Sequence, residues 1–288
     1  MFRPCKPRAR RSRGATRGAT RGATTGRGFV PSGMTLLELL IAVSILVGVA
    51  GTLGVLAKGV EDGFEYTEGH GTATQHARVA MDRIARSVRE ATANEQFPGV
   101  LVIDTQVDGY RLPDTLVVWH PDGEPVEPDG LPRINELVIY CPDPSAANRL
   151  VELRAAGDTG TVPPPENLSE WRTTVASIKA DNAAQMVTLT KLVRTASVAN
   201  AMDVVGQAAV RFETRLRPSA QQWKDYKDGN TAWEDLPWVQ GIYGSQTGLR
   251  QVWLRTELQL LPDQNTVVSA EQAIPFFGSA ALYYEMHQ

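Results

Sequence analysis

Glu38 is the first side chain in this sequence that needs a chemical explanation. It is the one ionisable residue in the 24 residues from Met34 to Ala57, an otherwise apolar run. A carboxylate set in lipid costs about 2.5–3.5 kcal/mol on insertion scales, and more on an isolated helix. That cost favours pairing with a cation. The alternative is a Glu that lies at the membrane surface with no role. The rest of the chain offers less chemistry. Its four histidines are His70, His76, His120 and His287. None stands in HExxH or other metal-ligand spacing. No GxSxG, GxGxxG or Walker loop occurs, and "GSQTG" (Gly244–Gly248) is a turn rather than a nucleophile elbow. A triad built in space around His120 has no local support. No catalytic residue, cofactor or metal site is therefore expected. One unusual region remains, Gln221–Gly244, with Trp223, Tyr226, Trp233, Trp238 and Tyr243 among Asp225, Asp228, Asn230, Glu234 and Asp235. It supports three readings: a loop pinned to the core by its own aromatics, an aromatic contact surface for another subunit or client, or an oxygen-rich Ca²⁺ site. The first is favoured, and "DYKDGN" does not have EF-hand spacing.

The elements that would position Glu38 follow from charge and periodicity. Residues 1–33 hold nine of the 29 basic residues and no acid, which leaves 20 basic against 32 acidic residues in 34–288, a balance of −12. An acidic body argues against nucleic acid as a partner. The leader is low in complexity, "GATRGATRGAT" (Gly14–Thr24), and has no apolar face to bury, so disorder is expected. As a helix, Met34–Ala57 spans about 36 Å, enough to cross a hydrocarbon core of about 30 Å. Lys58 is followed by Glu61, Asp62, Glu65 and Glu68, so the basic end should stay in the cytoplasm and the body outside it.

Thr72–Glu95 places Ala77, Met81, Ile84, Val88 and Ala91 on one helical face, with a break or kink expected at Gly69-His70-Gly71. After Phe97-Pro98, strands are expected at 100–104, 115–120, 136–141, 149–154, 185–193, 208–216 and 251–261, with one helix over Pro165–Ile178. The last two strands alternate. Val210, Phe212 and Thr214 oppose Arg211, Glu213 and Arg215, and Val252, Leu254, Thr256 and Leu258 oppose Arg255, Glu257 and Gln259. Such alternation fits antiparallel sheet with one solvated face. The fold class is α+β: a long N-terminal helix, membrane-spanning in its first half, packed on antiparallel sheet. The domains are a leader at 1–33 that is removed, a transmembrane helix at 34–57, an amphipathic extension at 58–95 and a β-rich extracytoplasmic domain at 96–288. Cys5 lies in the leader, so a processed chain has no disulfide, and Cys141 is expected as a small buried hydrophobe at a strand end.

Gly33-Met34-Thr35-Leu36-Leu37-Glu38 resembles the type IV prepilin processing motif. A Gly precedes the cut, a hydrophobic residue follows it, and Glu is the fifth mature residue. The basic leader, the apolar helix and the β-rich body match the remaining plan of that family, although this leader is longer than is usual there. The resemblance implies a pilin-like fold. It also implies that a prepilin peptidase cuts between Gly33 and Met34 and methylates the new amine of Met34. Thr35, Leu36, Leu37 and Glu38 would then serve assembly with other pilin or pseudopilin subunits, drawn from inner-membrane lipid into a filament. Glu38 would meet the N-terminal amine of a neighbour. Gly48, Gly51 and Gly54 would let helices approach closely. "MVTLTKLVR" (Met186–Arg194) and "LRQVWLRTELQLL" (Leu249–Leu261) look like the body of J-class minor pseudopilins of type II secretion or of W-type minor pilins. The expectation is a non-enzymatic, single-pass inner-membrane subunit placed at the tip of a pseudopilus or pilus. Its rivals are a periplasmic or surface enzyme or binding protein on an uncleaved anchor, and an ordinary secretory signal. The second is disfavoured because signal apolar regions run only about 7–15 residues.

Overall fold

The structure is a computed structural model describing residues 33–107, 109–155, 157–181, 183–199, 204–239, 246–262 and 273–288. The leader before Gly33, with Cys5, lies outside the described residues, as does Tyr243. The chain divides into two compact units, Met1–Ala57 and Lys58–Gln288. The first helix, α1 (Leu36–Arg89), contributes to both.

In the first unit, every residue from Gly33 to Ala57 is exposed. Leu, Ile, Val and Ala dominate the run. Its hydroxyls turn back onto the helix: Ser44 Oγ donates to the Leu40 carbonyl and Thr52 Oγ1 to that of Val49, each at 2.8 Å. The only polar side chains between Leu39 and Ala57 are thus satisfied without water, as a lipid-facing helix requires. Among the described residues, α1 is the one helix long and apolar enough to cross a membrane.

In the second unit, Gly69-His70-Gly71 remains helical instead of breaking α1. Gly69 is there for proximity. A Cβ at this position would lie 2.9 Å from Pro262 Cβ, so only glycine lets the chain after the ninth strand pass so close. Further on, α1 buries Ala77, Ile84 and Val88 of the expected stripe, together with Ala73 and Ala80, which the pattern does not include; Met81 is half-buried, and Ala91 is buried just past the helix end. The helix stops at Arg89, short of Glu95. Beyond it, the Thr92 N–H donates to the Trp119 carbonyl, and Asn94 Oδ1 accepts from the backbone N–H groups of Gln96 and Phe97, a turn that competes with helix.

Five strands form an antiparallel sheet in the order β1 (Val100–Val107), β2 (Tyr110–Trp119), β3 (Leu137–Asp143), β4 (Ala146–Arg154) and β5 (Gln185–Thr190). Both faces of this sheet are covered. Leu116, Val118, Val138, Tyr140 and Leu150 join the α1 stripe in one core. Val117, Trp119, Leu137, Ile139, Cys141, Val151 and Leu153 join Trp171, Val175 and Ile178 of α2 (Leu168–Ala180) in a second core. Leu168, placed on the α2 stripe by its spacing, is exposed because it sits in the first turn after the Asn167 cap.

β6 (Thr195–Ala199) and β7 (Val204–Ala208) pair as a ribbon. A second antiparallel sheet has the order β10 (Ile274–His287), β9 (Thr247–Leu260), β8 (Val210–Arg217). Its inner face carries Val210, Phe212, Val252, Leu254, Leu258, Ala280, Leu282 and Met286 into the α1 core. Its outer face carries Arg211, Glu213, Arg215, Arg255 and Glu257. The fold is thus α+β, a long N-terminal helix packed on antiparallel sheets. β6, β7 and β10 are not singled out by sequence pattern. In β10 the reason is visible: exposed Phe277 and Tyr283, and half-exposed Ala281, erase the polar half of the alternation.

Candidate functional site

The residues at the head of α1 form a closed local unit. Thr35 is the N-cap, and the first helical hydrogen bond runs from the Leu39 N–H to the Thr35 carbonyl at 3.1 Å. The Glu38 N–H donates to Thr35 Oγ1 at 3.3 Å. In return, both the Thr35 N–H and the Thr35 hydroxyl donate to Glu38 Oε2, each at 2.9 Å. This is a capping box, in which the N-cap hydroxyl and the carboxylate three residues later each satisfy an otherwise orphaned backbone donor. Glu38 therefore has partners inside its own chain, which neither the cation-paired nor the surface-lying reading of the sequence included. The signal was present as Thr-x-x-Glu ahead of an apolar run, a pattern that marks helix starts. Both bonds fall on one oxygen, and among the described residues Glu38 Oε1 accepts none. The carboxylate is thus oriented by Thr35 and still has an acceptor free.

Gly33 and Met34 precede the helix in irregular, exposed backbone, and a Cβ on Gly33 would meet nothing within 4 Å. The peptide bond between them is exposed. Leu36 and Leu37 are 80% and 68% exposed and project from the first turn without neighbours. Cβ atoms on Gly48, Gly51 and Gly54 would likewise meet nothing, so no packing inside this chain demands glycine at those positions.

The apolar run ends in a charged cluster. Lys58 Nζ lies 2.8 Å from Asp62 and 3.4 Å from Glu61. Those carboxylates hold the Lys58 ammonium above its ordinary value, Asp62 foremost. This exposed i,i+3 and i,i+4 pairing marks the end of the apolar run.

The body brings its ionisable groups together for structure. Arg83 of α1 makes a bidentate contact with Glu152 of β4, at 2.6 and 2.8 Å, which ties the helix to the sheet. Burial pushes the Glu152 carboxyl up, but the Arg83 guanidinium outweighs this and holds it below its ordinary value. Beside this pair, Ser87 and Tyr140 share a 2.6 Å hydroxyl–hydroxyl bond. Glu136 is buried and accepts from Trp119 Nε1 and from the N–H groups of Val126 and Arg133. His120 has Glu90 at 3.5 Å, and His70 stacks on Tyr66. Among the described residues, no three His, Cys, Asp or Glu side chains gather as a metal site would require. Cys141 is buried within β3, opposite Val151.

The Trp-rich region is more ordered than a loop. It comprises α3 (Ala220–Lys227), capped by Ser219, and a 3₁₀ turn at Trp233–Asp235. Trp223, Trp233 and Trp238 are buried and pack against one another, largely edge to face, and Trp223 and Trp233 also pack on Tyr226, with ring centres 4.6–6.3 Å apart. The Arg250 guanidinium lies over Trp223 at 5.6 Å and donates to the Pro218 carbonyl. The aromatics are core, so they do not present a contact surface. The first of the three readings holds for the described part.

No family model, curated protein or solved structure matches the chain.

Proposed function

We propose that the chain is a prepilin-like subunit, cut between Gly33 and Met34, methylated on the new amine, and assembled as a minor tip component of a type II secretion pseudopilus or type IV pilus. One observation carries the proposal: Glu38 is held by Thr35 through one oxygen, at the head of an apolar helix whose whole first half is exposed. A helix start built only for stability needs no charge there, since a Gln completes a capping box as well. A charge on an otherwise apolar span, where the cost reaches about 2.5–3.5 kcal/mol at the bilayer centre, favours a partner for it. Cleavage before Met34 creates a cation one residue from the box on every processed chain. A neighbour's Met34 amine then meets Glu38 Oε1, and the pair sets axial register between subunits. The basic leader keeps the cut on the cytoplasmic side, and the body sits beyond the inner membrane.

The partners are a prepilin peptidase, inner-membrane lipid and other pilin or pseudopilin subunits. The chain's action is mechanical. The test is intact mass spectrometry of chain isolated from membranes that contain an active prepilin peptidase. A mature N-terminus at Met34 carrying one added methyl group is the expected result. An intact Gly33–Met34 bond overturns the proposal and favours an uncleaved anchor on a surface binding protein or enzyme.

A further inference from the structure

The two larger sheets have four edges among the described residues, and three of them are blunted. β1 is interrupted by a register shift between Ile103 and Thr105, and Asp104 at that point pairs with Arg172 of α2 at 2.7 Å. β5 has six residues, and its pairing with β4 shifts at Leu150/Val151. β8 carries Arg211, Glu213, Arg215 and Arg217 at alternate positions and is followed by Pro218. Charges, bulges, prolines and short strands are the devices that keep an edge from accepting another strand. β10 has almost none of them. Its 14 residues pair with β9 in unbroken register, and from Phe276 to Tyr284 it carries no charge and no proline. Its other side has no strand among the described residues.

A groove of about 270 Å³ runs beside this edge, between α1 and β10. It exists because Gly278, Ser279 and Ala280 are small. A Cβ on Gly278 would already press on Met81 Sδ at 3.2 Å. Met81, Ala85, Leu254 and Ala280 give it an apolar floor, and Arg78, Asp82 and Arg89 stand at its rim. Neither Arg78 nor Arg89 has an ion-pair partner among the described residues, so the rim is net positive.

We propose that the β10 edge and this groove form a strand-addition site for an extended segment of another polypeptide. That segment carries an apolar side chain flanked by carboxylates at alternate positions. In this mode, main-chain hydrogen bonds to the edge give affinity, and pockets for every second side chain give specificity. Alternate residues of the added strand face the groove at steps of about 7 Å. Arg78 and Arg89 are about 16 Å apart along α1. A Glu-x-Val-x-Glu segment spans about 13 Å between its acids, a comparable separation. The site does not depend on cleavage at Gly33–Met34 and stands or falls separately from it.

The test uses the full chain in detergent micelles and a fluorescent peptide, Thr-Thr-Glu-Thr-Val-Thr-Glu-Thr-Thr, followed by anisotropy. Two further peptides are N-methylated on one or the other alternate set of amides. Only one set faces β10, so one methylated peptide loses binding by at least about tenfold and the other keeps it. Lys in place of both Glu residues, or Arg78→Glu with Arg89→Glu in the protein, weakens binding by about tenfold or more. Gly278→Val, with its circular dichroism unchanged, abolishes it by filling the groove. Absence of binding, or equal loss with both methylated peptides, overturns the proposal. So does concentration-dependent dimerisation of the chain that Gly278→Val removes, because the edge would then belong to a second copy.

Discussion

The three hydrogen bonds between Thr35 and Glu38 make the role of the carboxylate separable by two substitutions. Thr35→Val deletes the hydroxyl that donates to Glu38 Oε2 and accepts from the Glu38 N–H, but leaves the Thr35-position backbone N–H and the charge in place. Loss of such a cap costs the helix about 1 kcal/mol. The loss falls on the free subunit and the assembled one alike, so assembly changes by less than about fivefold even if all of it is felt in one state. Glu38→Gln does the reverse. Its side-chain carbonyl still accepts from the Thr35 N–H, so the helix start survives, but the charge is gone. A hydrogen bond to a charged group is worth about 1.5–3 kcal/mol, so losing it at each subunit contact lowers the association constant by about tenfold to about 150-fold.

The assay is cysteine crosslinking between neighbouring apolar helices in intact membranes. It is normalised to inserted chain and carried out on material whose N-terminus has been checked by mass spectrometry. The expected order is wild type, then Thr35→Val slightly below it, then Glu38→Gln at a tenth or less. If Glu38→Gln crosslinks as wild type does while Thr35→Val fails, Glu38 is a helix cap and nothing more, and the charge-pairing argument is wrong.

Three further outcomes follow from the body. Arg83→Ala leaves Glu152 buried without its cation and costs about 2–3 kcal/mol in urea unfolding, less than for a fully buried pair because Arg83 is half exposed. The Glu152 carboxyl is held below its ordinary value of 4.5, so this contribution is whole above that value and is lost as pH falls through the lower folded-state one; the gap between variant and wild type therefore closes in acid. Gly248→Ala drives a Cβ into the Trp238 ring and is expected to destabilise by about 1–3 kcal/mol, read as a lowered Tm with loss of near-ultraviolet tryptophan signal. Burial pushes the Cys141 thiol up to about 12, so a processed chain resists thiol reagents at neutral pH until denaturant opens it, and fast labelling of native protein would contradict the packing of β3.

The two sheets were legible in the sequence to different degrees, for a physical reason. β8 and β9 alternate because one face meets water, and the inward and outward residues could be read directly from Val210–Arg217 and Val252–Gln259. "TLVVWH" and "ELVIYC" show no alternation because Val117, Ile139 and Cys141 are covered by α2, while Val118, Val138 and Tyr140 are covered by α1. A run buried on both faces gives the strand but not its orientation. β10 escaped notice because its outer face is aromatic and small instead of charged, and that same feature leaves its edge unprotected. The groove could not be read at all, because it depends on Gly278 meeting Met81 across almost 200 residues of chain. The capping box is also legible as Thr35-x-x-Glu38 ahead of an apolar run, although the same carboxylate is equally compatible with a distant cation.

Along α1 two patterns of apolar residues follow one another, and residue size tells them apart. Between Leu36 and Ala57 large aliphatic side chains point in every direction and all are exposed, a pattern that fits a membrane span. Between Ala73 and Val88 the stripe narrows to five residues, three of them alanine, because a helix laid between two sheets must come close to both. The change falls at Lys58, Glu61 and Asp62, whose mutual pairing costs little in water and would be expensive in lipid. A substitution such as Ala77→Leu therefore disrupts the second stretch by overpacking, whereas Ala42→Leu leaves the first intact. The same exchange of one small residue for one large one thus reports which environment each turn of the helix occupies.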